Sequence, residues 1–208
     1  YPVTLSWEEE QTGEIVGRIQ VQAEILDAFL PEQQLIRTDW FHADCLATYY
    51  QVPVFSQRHW ELVERFVKAG VDRGMNMLLT PQFTPPLDTR KGGERPTVQL
   101  VEVWLEDGNY RFGFDRLKQW IDMGRRCGIQ YFEMSHLFTQ WGAQAAPKII
   151  AHTAQGDQRI FGWDTPAVGG EYTRFLHAYL PKLTQKLREW GLEGQVYFHI
   201  SDEPNLAQ

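Results

Sequence analysis

The chain is short of cysteine, of basic residues and of long apolar runs. Its 208 residues include two cysteines, Cys45 and Cys127, too few for a disulfide framework or a cysteine-rich zinc site, and we expect two buried free thiols. No apolar run approaches the roughly 18 residues of a membrane-spanning helix, so no membrane span is expected. Lys and Arg number 20 against 27 Asp and Glu, which argues against a nucleic-acid partner because phosphates are bound by basic side chains.

Two kinds of motif are also missing. No glycine-rich phosphate turn of the form GxGxxG or GxxxxGKS/T follows the first predicted strand, which weakens the case for an open nucleotide-binding sheet. No HxH or HExxH spacing is present, so we expect neither a metal nor a cofactor. A metal-dependent barrel hydrolase is a weaker alternative, because its ligands would have to converge from several strand ends. Its candidate ligands are His42, Asp44, Glu133, His136 and Asp202.

The overall composition is that of a globular protein. Hydrophobic residues make up 43% of the chain and aromatic residues 13%, enough for a substantial core. The chain begins at Tyr1 without a visible signal peptide and ends directly after the segment that carries the strongest chemical signal, so we interpret it as a fragment of a longer protein. These features predict neither the compartment nor the oligomeric state.

Residues 1–36 are predicted to be the C-terminal piece of a β-sandwich domain followed by a linker. Apolar and polar residues alternate from Ile15 to Leu26, which is typical of a half-buried strand in an antiparallel sheet. Residues 30–34 are predicted to form the exit loop. The segment is too short to be a domain by itself.

From residue 37 onward, short apolar runs alternate with segments of helical period. Ser56 is a suitable N-cap for a helix that presents Trp60 and Val63 on one face. Pro181 is expected to kink the last long helix or to mark its restart. The predicted strands are 37–42, 75–80, 129–134 and 195–201, the predicted helices are 57–72, 114–128 and 172–190, a hairpin is predicted at 98–112, and the long loops at 81–96 and 137–170.

This order predicts an α/β fold with a parallel sheet and helices outside it. A (β/α)8 barrel and an open doubly wound sheet both satisfy the order. The loops after the predicted strands are long and rich in aromatic residues, and barrels build their active sites on that face. We therefore expect residues 37–208 to form the first four βα units of a (β/α)8 barrel, with strands five to eight beyond Gln208.

The clearest chemical signal is Ser201-Asp202-Glu203-Pro204, at the end of the fourth predicted strand. Where the chain leaves a strand, both carboxylates can reach one pocket, and Pro204 is expected to hold Glu203 extended. Two carboxylates this close raise the cost of ionising both, so one holds its proton more tightly, as acid-catalysed glycoside cleavage requires. A solvated acidic turn is the alternative interpretation on spacing alone.

Further substrate-binding candidates follow the other predicted strands. Polar side chains after the first strand either bond sugar hydroxyls or serve a structural role beneath the loop. Tryptophans in the loop after the third strand either stack on a pyranose ring or anchor that loop. His199, inside the fourth predicted strand, is interpreted as a core histidine. The substrate-binding candidates are Trp40, His42, Asp44, Glu133, His136, Trp141 and Trp163.

Two segments resemble a known family, the glycoside hydrolase family 123 catalytic domain. Thr38-Asp39-Trp40-Phe41-His42-Ala43-Asp44-Cys45 resembles its opening, and Tyr197-Phe198-His199-Ile200-Ser201-Asp202-Glu203-Pro204 resembles its catalytic strand. The resemblance runs from the region of Ile15 to the end of the chain. It implies a (β/α)8 barrel preceded by a β-sandwich, the activity of a β-N-acetylgalactosaminidase, and a glycan or glycoconjugate as the partner.

The same resemblance implies substrate-assisted retaining hydrolysis, an exception to the two-carboxylate scheme. The 2-acetamido oxygen of the sugar attacks the anomeric carbon. Glu203 then acts as general acid and base, and Asp202 orients the acetamido group and stabilises the developing charge. Two alternatives stay open: an ordinary retaining mechanism with Glu133 facing Glu203 at roughly 5 Å, and a non-catalytic carbohydrate-binding barrel.

Overall fold

The computed structural model describes residues 1–29, 31, 34–87 and 89–203. They divide into two compact units, Tyr1–Gln34 and Leu35–Gln208, close to the boundary predicted at residue 36. Most of the predicted exit loop at 30–34 lies outside the described residues. The strands are β1 Pro2–Glu8, β2 Ile15–Gln22, β3 Met77–Thr80, β4 Glu102–Glu106, β5 Asn109–Gly113, β6 Tyr131–Met134, β7 Ile149–Thr153, β8 Gly156–Phe161 and β9 Val196–Phe198. The helices are α1 Ala43–Tyr50, α2 Gln57–Val71, α3 Asp115–Cys127 and α4 Gly170–Glu189.

The N-terminal unit is an antiparallel hairpin of β1 and β2. Its register places apolar residues opposite one another on a single face, with Val3 beside Val21 and Leu5 beside Ile19. The predicted strand is confirmed as β2, which ends at Gln22, but its apolar face is open among the described residues: Ile19 is 48% exposed and Val21 43%. The described part of this unit holds no second layer to cover the apolar face. The β-sandwich therefore stays a prediction.

The larger unit is built on a parallel sheet in the order β3–β6–β9. Neighbours in the sheet are consecutive units of the chain, and Thr38 adds an isolated parallel bridge to Met77 on the other side of β3. The predicted α/β class is confirmed. The strand predicted at 37–42 is reduced to that bridge, and the one predicted at 195–201 is only β9, although the His199 N–H still donates to the Met134 carbonyl at 3.3 Å.

Two helix ends lie at the residues that capping chemistry favours, the start of α2 and the end of α3. Ser56 Oγ accepts a hydrogen bond from the His59 backbone N–H at 3.2 Å at the start of α2, as predicted. α3 ends at Gly128, whose φ of +105° lies in the region that favours glycine. α4 runs through Pro181 as one helix, so no restart occurs. α1 was not predicted, since eight residues give too short a periodic pattern.

Two hairpins join into a second sheet in the order β5–β4–β7–β8. The β4–β5 hairpin confirms the prediction at 98–112. The expectation of a long loop at 137–170 is wrong, because β7 and β8 lie within it and β7 pairs with β4 through Trp104 and His152. Gln99 supports this junction: its amide accepts from the Ile150 N–H and donates to the Ile150 carbonyl, both at 2.9 Å.

The core of the larger unit lies between the parallel sheet, the helices and the second sheet. α4 is fastened by two buried hydroxyls: Tyr179 donates to Gln82 Oε1 at 2.9 Å and Tyr172 to the Leu137 carbonyl at 2.5 Å. These bonds hold α4 against the segments that follow β3 and β6. Fully buried core residues include Leu78, Phe83, Leu117, Trp120, Ile121, Phe132, Phe175 and Leu183.

The cysteines and the expected absence of a membrane span can be compared with the structure. Both cysteines are free thiols, but Cys45 is exposed rather than buried, because it lies on the outer side of α1. In the described part of the chain, none of the helices combines the length and the apolar character needed to cross a membrane.

Candidate active site

Polar side chains of the larger unit gather where its parallel strands end. Parallel strands present their carboxyl ends at one edge of a sheet, so the residues that follow them come together. Trp40 follows the Thr38 bridge, Glu133 and His136 lie at and just after the end of β6, and His199 directly follows β9. We call Trp40, Glu133, His136, His199 and Asp202 the strand-end cluster.

Glu133 is the buried acceptor of the strand-end cluster, at 6% exposure. Its Oε2 accepts a hydrogen bond from Trp40 Nε1 at 2.8 Å, and its Oε1 lies 2.7 Å from His199 Nδ1. The register explains the second contact: Glu133 pairs with Tyr197, and His199, two residues further along, points to the same face. Because a carboxylate only accepts hydrogen bonds, His199 carries its proton on Nδ1.

His136 is fully buried, and neither of its ring nitrogens has a hydrogen-bond partner among the described residues. Its ring lies against His199, with centroids 3.9 Å apart, and edge-on to Trp40 at 5.4 Å. Burial, followed by the nearby His199 and His42, lowers the pKa of His136 to about 3 from the ordinary 6.5. His136 is therefore a neutral imidazole at physiological pH.

The acidic pair lies just beyond β9. Asp202 belongs to the strand-end cluster. One of its carboxylate oxygens lies within 4.8 Å of a ring nitrogen of His136 and of one of His199, and these two nitrogens also lie within 4.8 Å of each other. Glu203 is exposed and has a φ of +46°, so the expectation that it is extended is wrong. The chain bends sharply at Asp202 and turns Glu203 into the left-handed region, which is uncommon for residues other than glycine and clusters at functional sites. Pro204 lies outside the described residues.

The structure places His42 and Asp44 at the start of α1. His42 is the N-cap residue of α1 and lies close enough to His136 to act on its pKa. Asp44 is buried and accepts two hydrogen bonds from the Arg95 guanidinium, both at 3.1 Å. Its carboxylate is thus held by the loop that follows β3, and a structural role fits these contacts.

Trp141 and Trp163 lie on either side of the β7–β8 hairpin. Trp141 is 42% exposed with a φ of +62°, and Trp163 is half-buried beside a small cavity that Arg95 and Lys148 also line. In the ranges that the structure describes, no ring contact joins either indole to Trp40 or to the two cluster histidines. The structure brings five polar residues together and leaves these two tryptophans apart from them.

Sequence reasoning missed His199 as a member of the site. The expectation of a core histidine is wrong, because the side chain is 30% exposed and bonds Glu133. The sequence shows only that Tyr197 and His199 lie two apart and therefore share a face of the strand. The parallel register with β6 is what makes this the face of Glu133.

Comparison with known proteins identifies the larger unit. No curated protein matches the chain. The family described as glycoside hydrolase 123, catalytic domain, matches residues 40–208, which contain the whole strand-end cluster and the acidic pair. The chain therefore belongs to glycoside hydrolase family 123.

Proposed function

We propose that this glycoside hydrolase removes β-linked N-acetylgalactosamine, or a related N-acetylhexosamine, by substrate-assisted retaining hydrolysis. The observation that carries the proposal is the position of Asp202 against His136 and His199, at the edge where the parallel strands end. This edge is where parallel α/β folds bind their substrates. The proposed preference for an N-acetyl sugar is what the resemblance of the two segments implies, and the described side chains do not select between sugar epimers.

The proposed roles follow from the adjacency of the two acids. Glu203 protonates the departing glycosidic oxygen and then activates water, because it is exposed and can approach a bound sugar. Asp202 accepts the acetamido N–H and stabilises positive charge as the acetamido oxygen attacks the anomeric carbon. The acetamido group and the scissile oxygen sit on neighbouring sugar carbons, so adjacent carboxylates can serve both. No second carboxylate nucleophile is needed.

The hydrogen bonds of Glu133 argue against the alternative retaining mechanism. A carboxylate nucleophile needs one oxygen directed at the anomeric carbon. Both oxygens of Glu133 accept hydrogen bonds, from Trp40 and from His199, and the residue is only 6% exposed, so little of the carboxylate is open to a sugar. This supports Glu133 as the residue that orients two rings beneath the sugar. A non-catalytic carbohydrate-binding barrel is the remaining alternative, and it requires no proton transfer by Glu203.

The remaining parts of the proposal concern the side chains that would bind the sugar and the fold of the whole domain. Trp40 is 40% exposed, so part of its ring is available to a sugar face, while its N–H remains on Glu133. His42, His136, Trp141 and Trp163 remain proposed sugar-binding residues, whereas the two hydrogen bonds from Arg95 favour a structural role for Asp44. We also propose that the parallel sheet is the first half of a (β/α)8 barrel, which the sequential order Thr38 bridge–β3–β6–β9 supports.

A hydrolysis assay on the intact protein tests the proposal. The substrates are chromogenic β-N-acetylgalactosaminide, β-N-acetylglucosaminide and plain β-galactoside. We expect cleavage of N-acetyl substrates only, and a loss of kcat of about 100- to 10,000-fold for Glu203→Gln and Asp202→Asn. Glu193→Gln, an exposed acid paired with Arg188, is the control and should retain full activity.

The outcomes separate the substrate-assisted mechanism, the ordinary retaining mechanism and the non-catalytic barrel. Equal cleavage of the plain galactoside would remove the acetamido group from the mechanism and return Glu133 to the role of nucleophile. Sugar binding without cleavage of any substrate by the wild type would support the non-catalytic barrel.

A further inference from the structure

The strand-end cluster contains a set of side chains suited to a metal ion. His136, His199 and Asp202 each offer a ligand atom within 4.8 Å of the other two. In a tetrahedral zinc site with bonds of about 2.0–2.2 Å, ligand atoms lie about 3.4 Å apart. The present separations of up to 4.8 Å are wider than this, so a bound cation would draw the three side chains closer together.

The second observation is the unsatisfied imidazole of His136. A buried polar side chain without a partner is rare, and its cost calls for a physical reason. Here both nitrogens of His136 are buried and lack hydrogen bonds to the described residues, yet one of them faces His199 and Asp202. A cation between these residues would satisfy that nitrogen.

The third observation is the carboxylate behind His199. Histidines that bind metals usually donate their second ring N–H to a carboxylate, which fixes the tautomer and the direction of the free nitrogen. Glu133 holds His199 Nδ1 at 2.7 Å, and Trp40 in turn fixes Glu133. Nε2 of His199 is therefore the nitrogen left to coordinate a cation.

We propose that His136, His199 and Asp202 bind one divalent transition cation of borderline softness, such as Zn²⁺, with Glu133 as the supporting carboxylate. Two imidazoles and one carboxylate suit zinc better than the hard cations Mg²⁺ or Ca²⁺, which take oxygen ligands. Three protein ligands leave the fourth position to water.

One consequence rests on the proposed function. A cation bound through Asp202 occupies the carboxylate that would accept the acetamido N–H. Zinc and substrate therefore exclude one another, and zinc is a competitive inhibitor rather than a cofactor.

Zinc binding is measured first, without substrate, by calorimetric titration of the intact protein after treatment with a chelator. We expect one tight equivalent in the wild type and an affinity at least tenfold weaker in His199→Asn and Asp202→Asn. Glu133→Gln should weaken binding by about 10- to 100-fold without removing a ligand. His177→Asn, an exposed histidine on α4, should bind zinc as the wild type does. Circular dichroism confirms that each variant is folded.

Equal zinc affinity in the wild type and all the variants would overturn the inference. So would a loss of zinc affinity in the control His177→Asn without a loss in the variants of the proposed site. Hydrolysis is then measured with and without zinc. Competitive inhibition that is relieved by excess substrate supports the exclusion of substrate by the cation, whereas activation by zinc would overturn it and favour a metal-dependent hydrolase. Absence of hydrolysis together with tight zinc binding would refute the proposed function but not the metal site.

Discussion

At the scale of single residues, the hydrogen bond from Trp40 to Glu133 is a stabilising contact as well as part of the site. Replacing Trp40 with Phe keeps an aromatic ring but leaves a buried carboxylate oxygen without a donor. We expect the free energy of unfolding to fall by about 1–3 kcal/mol, because a buried charged group loses one of its partners. Urea unfolding followed by circular dichroism measures the change.

Trp141→Phe is the matched control, because Trp141 is 42% exposed and donates no hydrogen bond to a described residue. Its unfolding midpoint should stay near that of the wild type. Equal losses in the two variants would mean that ring volume, rather than the Trp40 N–H, is responsible.

At the scale of elements, α4 contains a proline in its interior, a position where proline normally destabilises a helix. Pro181 lies within a continuous 20-residue helix and is exposed, so it removes one backbone hydrogen bond without a compensating buried contact. We expect Pro181→Ala to raise the free energy of unfolding by about 1–3 kcal/mol. Thermal unfolding of the intact protein measures the shift in Tm.

Lys182→Ala, at the next exposed position of α4, serves as the comparison. It tests helix propensity without changing backbone hydrogen bonds, and its Tm should change little. A Pro181→Ala variant that is less stable than the wild type would show that the proline ring makes a contact that the helix needs.

Elements also show what sequence could predict. The three longer helices and the central strands are predicted by local signals: Ser56 caps α2, Gly128 ends α3, and the strand at 131–134 is apolar except for Glu133. The β7–β8 hairpin was missed because its strand character depends on β4, about 50 residues away in the chain. Pairing between distant segments leaves little trace in local periodicity.

The site, like the fold, was predictable where local sequence carries the signal and not where it depends on pairing between distant segments. Glu133, His136 and Asp202 were predicted because they lie at or just after the ends of apolar strands. His199 was missed because a histidine inside a strand pattern gives no sign of which face it occupies. Its role depends on the parallel register with β6, which local sequence does not contain. Glu203 was expected to be extended from Pro204 alone, but its φ of +46° lies in the left-handed region.

At the scale of the whole molecule, His136 makes stability depend on pH. Its pKa is lowered to about 3 in the folded chain and returns to about 6.5 on unfolding. Between those values the unfolded chain binds a proton that the folded chain does not, so stability is full above pH 6.5 and falls as the pH is lowered. The expected slope from this group is about 1.4 kcal/mol per pH unit.

Urea unfolding at several pH values between about 6 and 4, with a chelator present, measures this slope. The His136→Asn variant should lose stability with falling pH less steeply than the wild type, by about 1.4 kcal/mol per pH unit. His177→Asn should retain the wild-type slope, since its side chain is exposed. Identical slopes in the wild type and the His136 variant would contradict the assignment.

The spacing of the strand-end cluster along the chain has a kinetic consequence. Trp40 and Glu133 are 93 residues apart, and Glu133 and His199 are 66 apart. Helices form from local contacts, whereas these residues meet only after long loops close and successive strands dock. During refolding, recovery of helical signal should therefore precede recovery of the cluster, and a compact intermediate with native helices would still be catalytically silent.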